Sequence, residues 1–132
     1  MYYDRPITKG ADTVSILDGS AGPELDIVDG DGEARAIVWP GMGAETRSLQ
    51  RIWLKAASRT VELRHPGEAA YYVVAGDGWV TDRCSGERLA LREGSMFHVD
   101  GGTGYVAEAG DDGMELVGGP APADPALYRD VH

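Results

Sequence analysis

Nineteen glycines cut this chain into apolar runs long enough for strands and too short for helices. The runs are rich in Val, Ile, Leu, Tyr and Trp, residues that suit a pleated surface buried on one side. Turn signals recur at 29–32, 76–78, 85–86, 101–104 and 110–113. Asp77 with Gly78, and Asp112 with Gly113, have the composition of tight hairpin turns, which demand a positive φ. No segment has helical periodicity. The spacing predicts strands over 34–39, 49–56, 60–65, 70–75, 78–82, 87–91, 96–99, 104–109 and 114–117, and so an all-β sandwich or barrel.

A chain of 132 residues fits one domain, 1–132, able to bury a core without disulfides. Its formal net charge of -10 disfavours nucleic acid and anionic membrane surfaces, since both demand a basic footprint. Cys84 is the only cysteine and cannot form an internal disulfide; it falls where a strand passes into a turn at 81–86 and reads as an incidental thiol. No targeting segment is visible, nor an apolar run of the roughly 20 residues that a membrane span requires, so a cytoplasmic protein is expected. The acidic run from Asp29 to Glu33 lacks the further ligands of a calcium loop and reads as a turn. Residues 1–12 fit either an arm that packs on a second subunit or a disordered segment. The tail, 118–132, carries Pro120, Pro122 and Pro125, and is expected to run extended over the surface with Leu127 and Tyr128 as anchors.

Two segments carry a more specific pattern. The first runs from Leu63 to Gly76 and contains His65, Glu68 and Ala69; the second sets Gly94, Asp100, Gly102 and Tyr105 at fixed intervals. Together they resemble the two motifs of the cupin superfamily. The first of these is His, any residue, His, three or four residues, Glu, six residues, Gly; the second has Gly, Pro, Gly and His at the intervals kept here. Both glycines of the second motif match, while its Pro and His positions hold Asp100 and Tyr105. The resemblance spans about 39–125 and implies a cupin-like double-stranded β-helix, or jelly-roll barrel, paired as a homodimer.

In that family three His and one Glu typically hold a divalent metal inside the barrel. Here Leu63 stands at the first His, His65 at the second, Ala69 at the Glu and Tyr105 at the third His. Glu68 lies one place early, and a turn shortened at Pro66 and Gly67 lets it serve instead. An ion held for catalysis needs about three imidazole or carboxylate donors. Leucine donates nothing, and a neutral phenol with a pKa near ~10 is a weak ligand. The expected site therefore has no metal and no other cofactor. The alternative is an altered shell for Fe, Mn, Ni or Zn drawn from His65, Glu68, His98 or Tyr105.

Period-two alternation then assigns facings. With His65 inward, Leu63 and Val61 follow it, Ala69, Tyr71 and Val73 share the next strand's inner face, and Tyr105 looks in from the second motif. The expected cavity is apolar with a few polar points. His65 is the expected general acid or base, Tyr105 a donor to a carbonyl or enolate, and Glu68 a group that orients His65 or moves a proton. Leu63, Tyr71, His98, Arg51 and Trp53 complete the candidate ligand-binding set. Arg51 and Trp53 suit an anionic or aromatic ligand and equally a packed pair at a dimer interface. Flanking apolar residues make His98 read as a core or interface histidine. The expected protein is a small-molecule enzyme of cupin type, a metal-independent isomerase, cyclase or lyase working by proton transfer. A non-catalytic ligand-binding cupin and a metal-dependent oxygenase or lyase are the alternatives.

Overall fold

Two segments that the sequence divides at predicted hairpin turns run straight through as single strands, and the rest of the sheet hangs from them. The computed structural model describes residues 14–131. Its strands are β1 Val28–Asp29, β2 Gly32–Val38, β3 Leu49–Leu54, β4 Arg59–Thr60, β5 Glu68–Asp82, β6 Arg88–Arg92, β7 Met96–Val99 and β8 Tyr105–Ala121. Short 3₁₀ turns lie at Pro40–Met42 and Pro125–Tyr128. The long strands β5 and β8 pair antiparallel from Glu68 opposite Ala121 to Asp82 opposite Tyr105.

The hairpins expected at 76–78 and 110–113 are bends instead. The register of the β5–β8 pair shifts between Val73 and Ala75 and again between Gly76 and Gly78. Gly76 has φ +80°, and a Cβ there would lie 2.1 Å from the Gly113 carbonyl oxygen. A Cβ at Gly110 would lie 2.5 Å from the Asp77 carboxylate. Glycine at both levels lets the two strands kink together, with residues 110–113 of β8 bulging opposite Asp77 before pairing resumes at Gly76 and Met114. A bulge and a tight turn ask for the same positive-φ residues, so local composition does not separate them.

The bend creates the two layers of the barrel. The first half of β5 pairs with β7, from Ala69 opposite Val99 to Tyr72 opposite Met96, and the second half of β8 continues the layer into β3 and then β2. The second half of β5 pairs with β6, and the first half of β8 reaches β4 and then β1. Strands β6 and β7 each pair with β5 alone, so their outer edges leave a seam where the barrel does not close.

Ala69, Tyr71 and Val73 point inward as alternation requires, while Tyr72 and Val74 are exposed. They meet Ile52, Leu54, Met114 and Leu116 of the same layer and Ala107 of the facing one in a single core. Each fully buried aliphatic side chain contributes about 1.5–3 kcal/mol relative to an exposed one.

Three expectations are corrected. The predicted strand over 60–65 shrinks to β4 and a single bridge, Leu63 opposite Tyr105. The Val61 amide is given to Ile27 and the Leu63 amide to Tyr105, and the change of partner breaks the alternation, so Leu63 and His65 face in and Val61 faces out. Residues 118–121, expected in a surface tail, extend β8, with Pro120 fully buried. Beyond them Leu127 is buried and the Tyr128 ring centre lies 5.1 Å from that of Trp39. The expected arm over 1–12 lies outside the described residues. No helix among the described residues is long and apolar enough to cross a membrane.

These bends predict a contrast between two glycines with the same φ of +80°. Gly86→Ala, in open space, costs only the left-handed backbone strain of about 1–3 kcal/mol. Gly76→Ala adds a clash with backbone and loses at least about 2 kcal/mol more. Urea unfolding of both variants checks the order.

Candidate functional site

Four positions at one end of the barrel correspond to the metal ligands of the motif that the sequence resembles, and all four side chains are buried: Leu63, His65, Ala69 and Tyr105. The Leu63–Tyr105 bridge brings the start of β8 against the segment that carries His65. His65 is 3 % exposed, and both of its ring nitrogens are engaged. Nδ1 lies 2.7 Å from Asp124 Oδ2, and Nε2 lies 2.7 Å from the Tyr105 hydroxyl. The Tyr105 hydroxyl is in turn 2.9 Å from that of Tyr71.

With a neutral imidazole, donor and acceptor counting gives this chain one direction: Nδ1–H donates to the Asp124 carboxylate, Tyr105 donates to Nε2, and Tyr71 donates to the Tyr105 oxygen. The result is a continuous relay, Tyr71 to Tyr105 to His65 to Asp124. No buried side-chain polar atom among the described residues lacks a partner.

Burial governs the electrostatics. Desolvation pushes the Tyr71 hydroxyl up to about 12, the bond to Tyr105 opposing it. Desolvation also drives Tyr105 strongly upward, and the neighbouring Tyr71 adds to the rise. Both phenols therefore stay protonated near neutral pH. Phe97 packs the same space, stacked on Tyr71 at 5.2 Å between ring centres and edge-on to Tyr105 at 6.1 Å.

Asp124 was not legible as a functional residue, although a signal was present. It stands before Pro125, the pattern of a cap followed by proline in the first helical position, and its Oδ1 accepts from the Ala126 amide. Its second oxygen reaches His65 across 59 positions of sequence, which no local pattern announces.

The remaining candidates fall elsewhere. Glu68 does not orient His65; it opens β5 and bonds His98, 2.9 Å from Nε2. His98 is not a core residue: Phe97 and Val99 take the inner face of β7, and the imidazole is 54 % exposed at the rim of a pocket between β6 and β7. The bond to Glu68 raises the His98 pKa, with Glu68 and Asp100 charges assisting against desolvation. Arg51 and Trp53 stack on each other at 4.3 Å, but they alternate with buried Gln50, Ile52 and Leu54 and so face away from the barrel interior. Glu115 also holds the Arg51 guanidinium. Leu63 and Tyr71 are wall and core, enclosed with His65.

The core is packed, and a cavity with apolar walls and a few polar points is present as a pocket of about 130 Å³ at the seam between β6 and β7. Val80, Leu89, Phe97 and Val99 form its apolar walls, Asp82, His98, Asp100 and Thr103 its polar rim, and Tyr105 its floor. Of the relay, Tyr105 alone lines this pocket.

A divalent metal does not fit the family positions. Leu63 and Ala69 offer no donor atom, Tyr105 is held as a neutral phenol, and the two nitrogens of His65 are already committed. No group of three or more His, Cys, Asp or Glu among the described residues is arranged to hold an ion.

No family model matches the chain, and no curated protein matches it. Solved structures do. A predicted oxalate decarboxylase from Thermotoga maritima superposes with a TM-score of 0.65 at 22% identity, covering 78% of this chain and 95% of that one. An RmlC-like cupin from Shewanella frigidimarina superposes with a TM-score of 0.64 at 21% identity, covering 80% and 88%. Ectoine synthase from P. lautus gives 0.56 at 23% identity, covering 70% and 66%. The fold is that of the cupins. On this cupin barrel the four motif positions hold Leu63, His65, Ala69 and Tyr105, of which His65 and Tyr105 belong to the hydrogen-bonded relay and Leu63 and Ala69 to its apolar packing.

Two outcomes are expected. Tyr105→Phe strands both the His65 lone pair and the Tyr71 hydroxyl, at about 1–3 kcal/mol for each group left unpaired, whereas Tyr71→Phe leaves the Tyr105 bond to His65 intact and costs about 1 kcal/mol. Denaturant midpoints check the order. A phenol raised by folding contributes stability that is complete below its unfolded pKa of 10.0 and is lost as pH climbs towards about 12. Thermal unfolding followed from pH 9 to 12 should show that decline, and Tyr71→Phe should make it shallower.

Proposed function

We propose that this protein is a small-molecule enzyme of cupin type that works by proton transfer, an isomerase, cyclase or lyase, on a ligand bound at the seam. The observation that carries the reading is the relay that begins at Asp124, passes through His65 and ends on the one polar group that floors the pocket, Tyr105.

The direction of the bonds supports a base rather than an acid. With a neutral imidazole the Tyr105 hydroxyl donates to His65 Nε2. As Tyr105 takes a proton from an acidic C–H beside a ligand carbonyl, it passes its own to His65, and Asp124 stabilises the imidazolium that results. No free phenolate is formed, which suits a hydroxyl that burial holds far from ionisation. Tyr71 donates to the same oxygen throughout and fixes its position. The structural neighbours described as a predicted oxalate decarboxylase and as ectoine synthase lend support at the level of small-molecule chemistry on this fold.

A second reading is a non-catalytic cupin that binds a ligand at the seam. It is favoured by the satisfaction of every polar atom in the relay and the near-complete burial of His65.

The test is a panel of small carbonyl metabolites incubated with the protein in D₂O, with loss of C–H signals followed by NMR. Proton transfer predicts exchange or conversion that falls about 10²–10⁴-fold in folded Tyr105→Phe and His65→Gln. Turnover that both variants retain would sink the reading. Saturable binding with no exchange by the wild type would establish the second one.

A further inference from the structure

The seam pocket has a chemical character that the relay does not use. Its walls are Val80 and Leu89 on one side and Phe97 and Val99 on the other, and its volume of about 130 Å³ is on the order of one six-membered ring. The charged groups around it have one sign. Asp82 and Asp100 line it, and no Lys or Arg does. The guanidiniums at this end of the barrel, Arg64 and Arg83, are drawn off to Glu62, and Arg64 also donates to the Gly102 carbonyl. His98 is the single lining group able to carry a positive charge. Its ring stands between Glu68 at 2.9 Å and Asp100 at 3.7 Å, so that charge is met by two carboxylates before any ligand arrives.

Asp82 is fixed in this position. Its Oδ1 accepts from the amides of Cys84 and Ser85 at the turn, and these bonds hold its carboxyl ionised, well below the ordinary carboxylate range. A ligand carboxylate entering an apolar slot rimmed by two carboxylates meets repulsion that only the Thr103 hydroxyl and the already paired His98 ring could offset. An ammonium or hydroxyl group there meets acceptors.

Resting on the reading of the seam as the binding site, we infer that the pocket selects a small ligand with an apolar ring or branched body that is neutral or cationic at its outer end, and rejects carboxylates. The functional head of the ligand lies on Tyr105, and its amine or hydroxyl end lies at the Asp82 and Asp100 rim.

Three probes of nearly equal shape test this with the full chain: benzylamine, benzyl alcohol and benzoate. Each is titrated while the methyl resonances of Val80, Leu89 and Val99 are followed by NMR. Affinity should fall in the order benzylamine, benzyl alcohol, benzoate, with about tenfold between the amine and the acid, the size expected of partly screened charges. The double variant Asp82→Asn, Asp100→Asn keeps the acceptors of the turn and should narrow that gap to about twofold. Asp100→Asn alone, on an exposed loop, should halve it on a logarithmic scale if the double variant does not fold. Benzoate binding as tightly as benzylamine, an unchanged gap in the variants, or no shift with any probe would overturn the inference. None of these readouts involves turnover. Amine-selective binding in a protein that catalyses no exchange would leave the inference standing and remove the proton-transfer reading alone.

Discussion

The pairing of β5 with β8 is the constraint from which the rest of the barrel follows. Strands of 15 and 17 residues cannot stay flat and also enclose a core, so they must bend, and they must bend at the same level to stay paired. Gly76 and Gly78 on one strand, with Gly110 and Gly113 on the other, supply that bend by removing the side chains that would collide. Once bent, one pair of strands serves two layers. The outer strands attach to whichever half is free, and the order β7, β5, β8, β3, β2 on one side and β6, β5, β8, β4, β1 on the other has no further choice in it.

The same construction leaves β6 and β7 without partners on their outer edges, and the seam is the consequence. What lies behind the seam is decided by desolvation. Polar groups in a barrel this well packed persist only when each is bonded, because an unpaired one costs about 1–3 kcal/mol. His65, Tyr105, Tyr71 and Asp124 meet that requirement by forming a chain with one consistent direction of donation. The chain ends at the C-terminal segment, where Asp124 caps a short turn with one oxygen and fixes the His65 tautomer with the other. The tail is thereby a part of the site, and Tyr128 extends the tie by donating to buried Gln50.

The Tyr105 phenol contacts the pocket, and the imidazole behind it stays enclosed. The outer face carries a separate set of charged and aromatic contacts, Arg51 with Trp53 and Glu115, while the Glu68–His98 pair stands at the pocket rim.

The sequence by itself determined that the chain is all-β, that its motif spacing is that of a cupin barrel, and that His65, Leu63, Ala69, Tyr71 and Tyr105 face inward. These are consequences of period-two alternation and fixed intervals, both local. It did not determine whether Gly76 to Gly78 and Gly110 to Gly113 are turns or bends, because a positive φ serves either, and only the cross-strand partner decides. Nor did it separate Glu68 from His65, for residues three apart at the start of a strand diverge once the turn at Pro66 and Gly67 is traversed. Tertiary structure alone brought Asp124 to His65, set Glu68 against His98 at the pocket rim, and left the pocket at the seam. Each of these depends on contacts between residues tens of positions apart, which sequence patterns of short period do not encode.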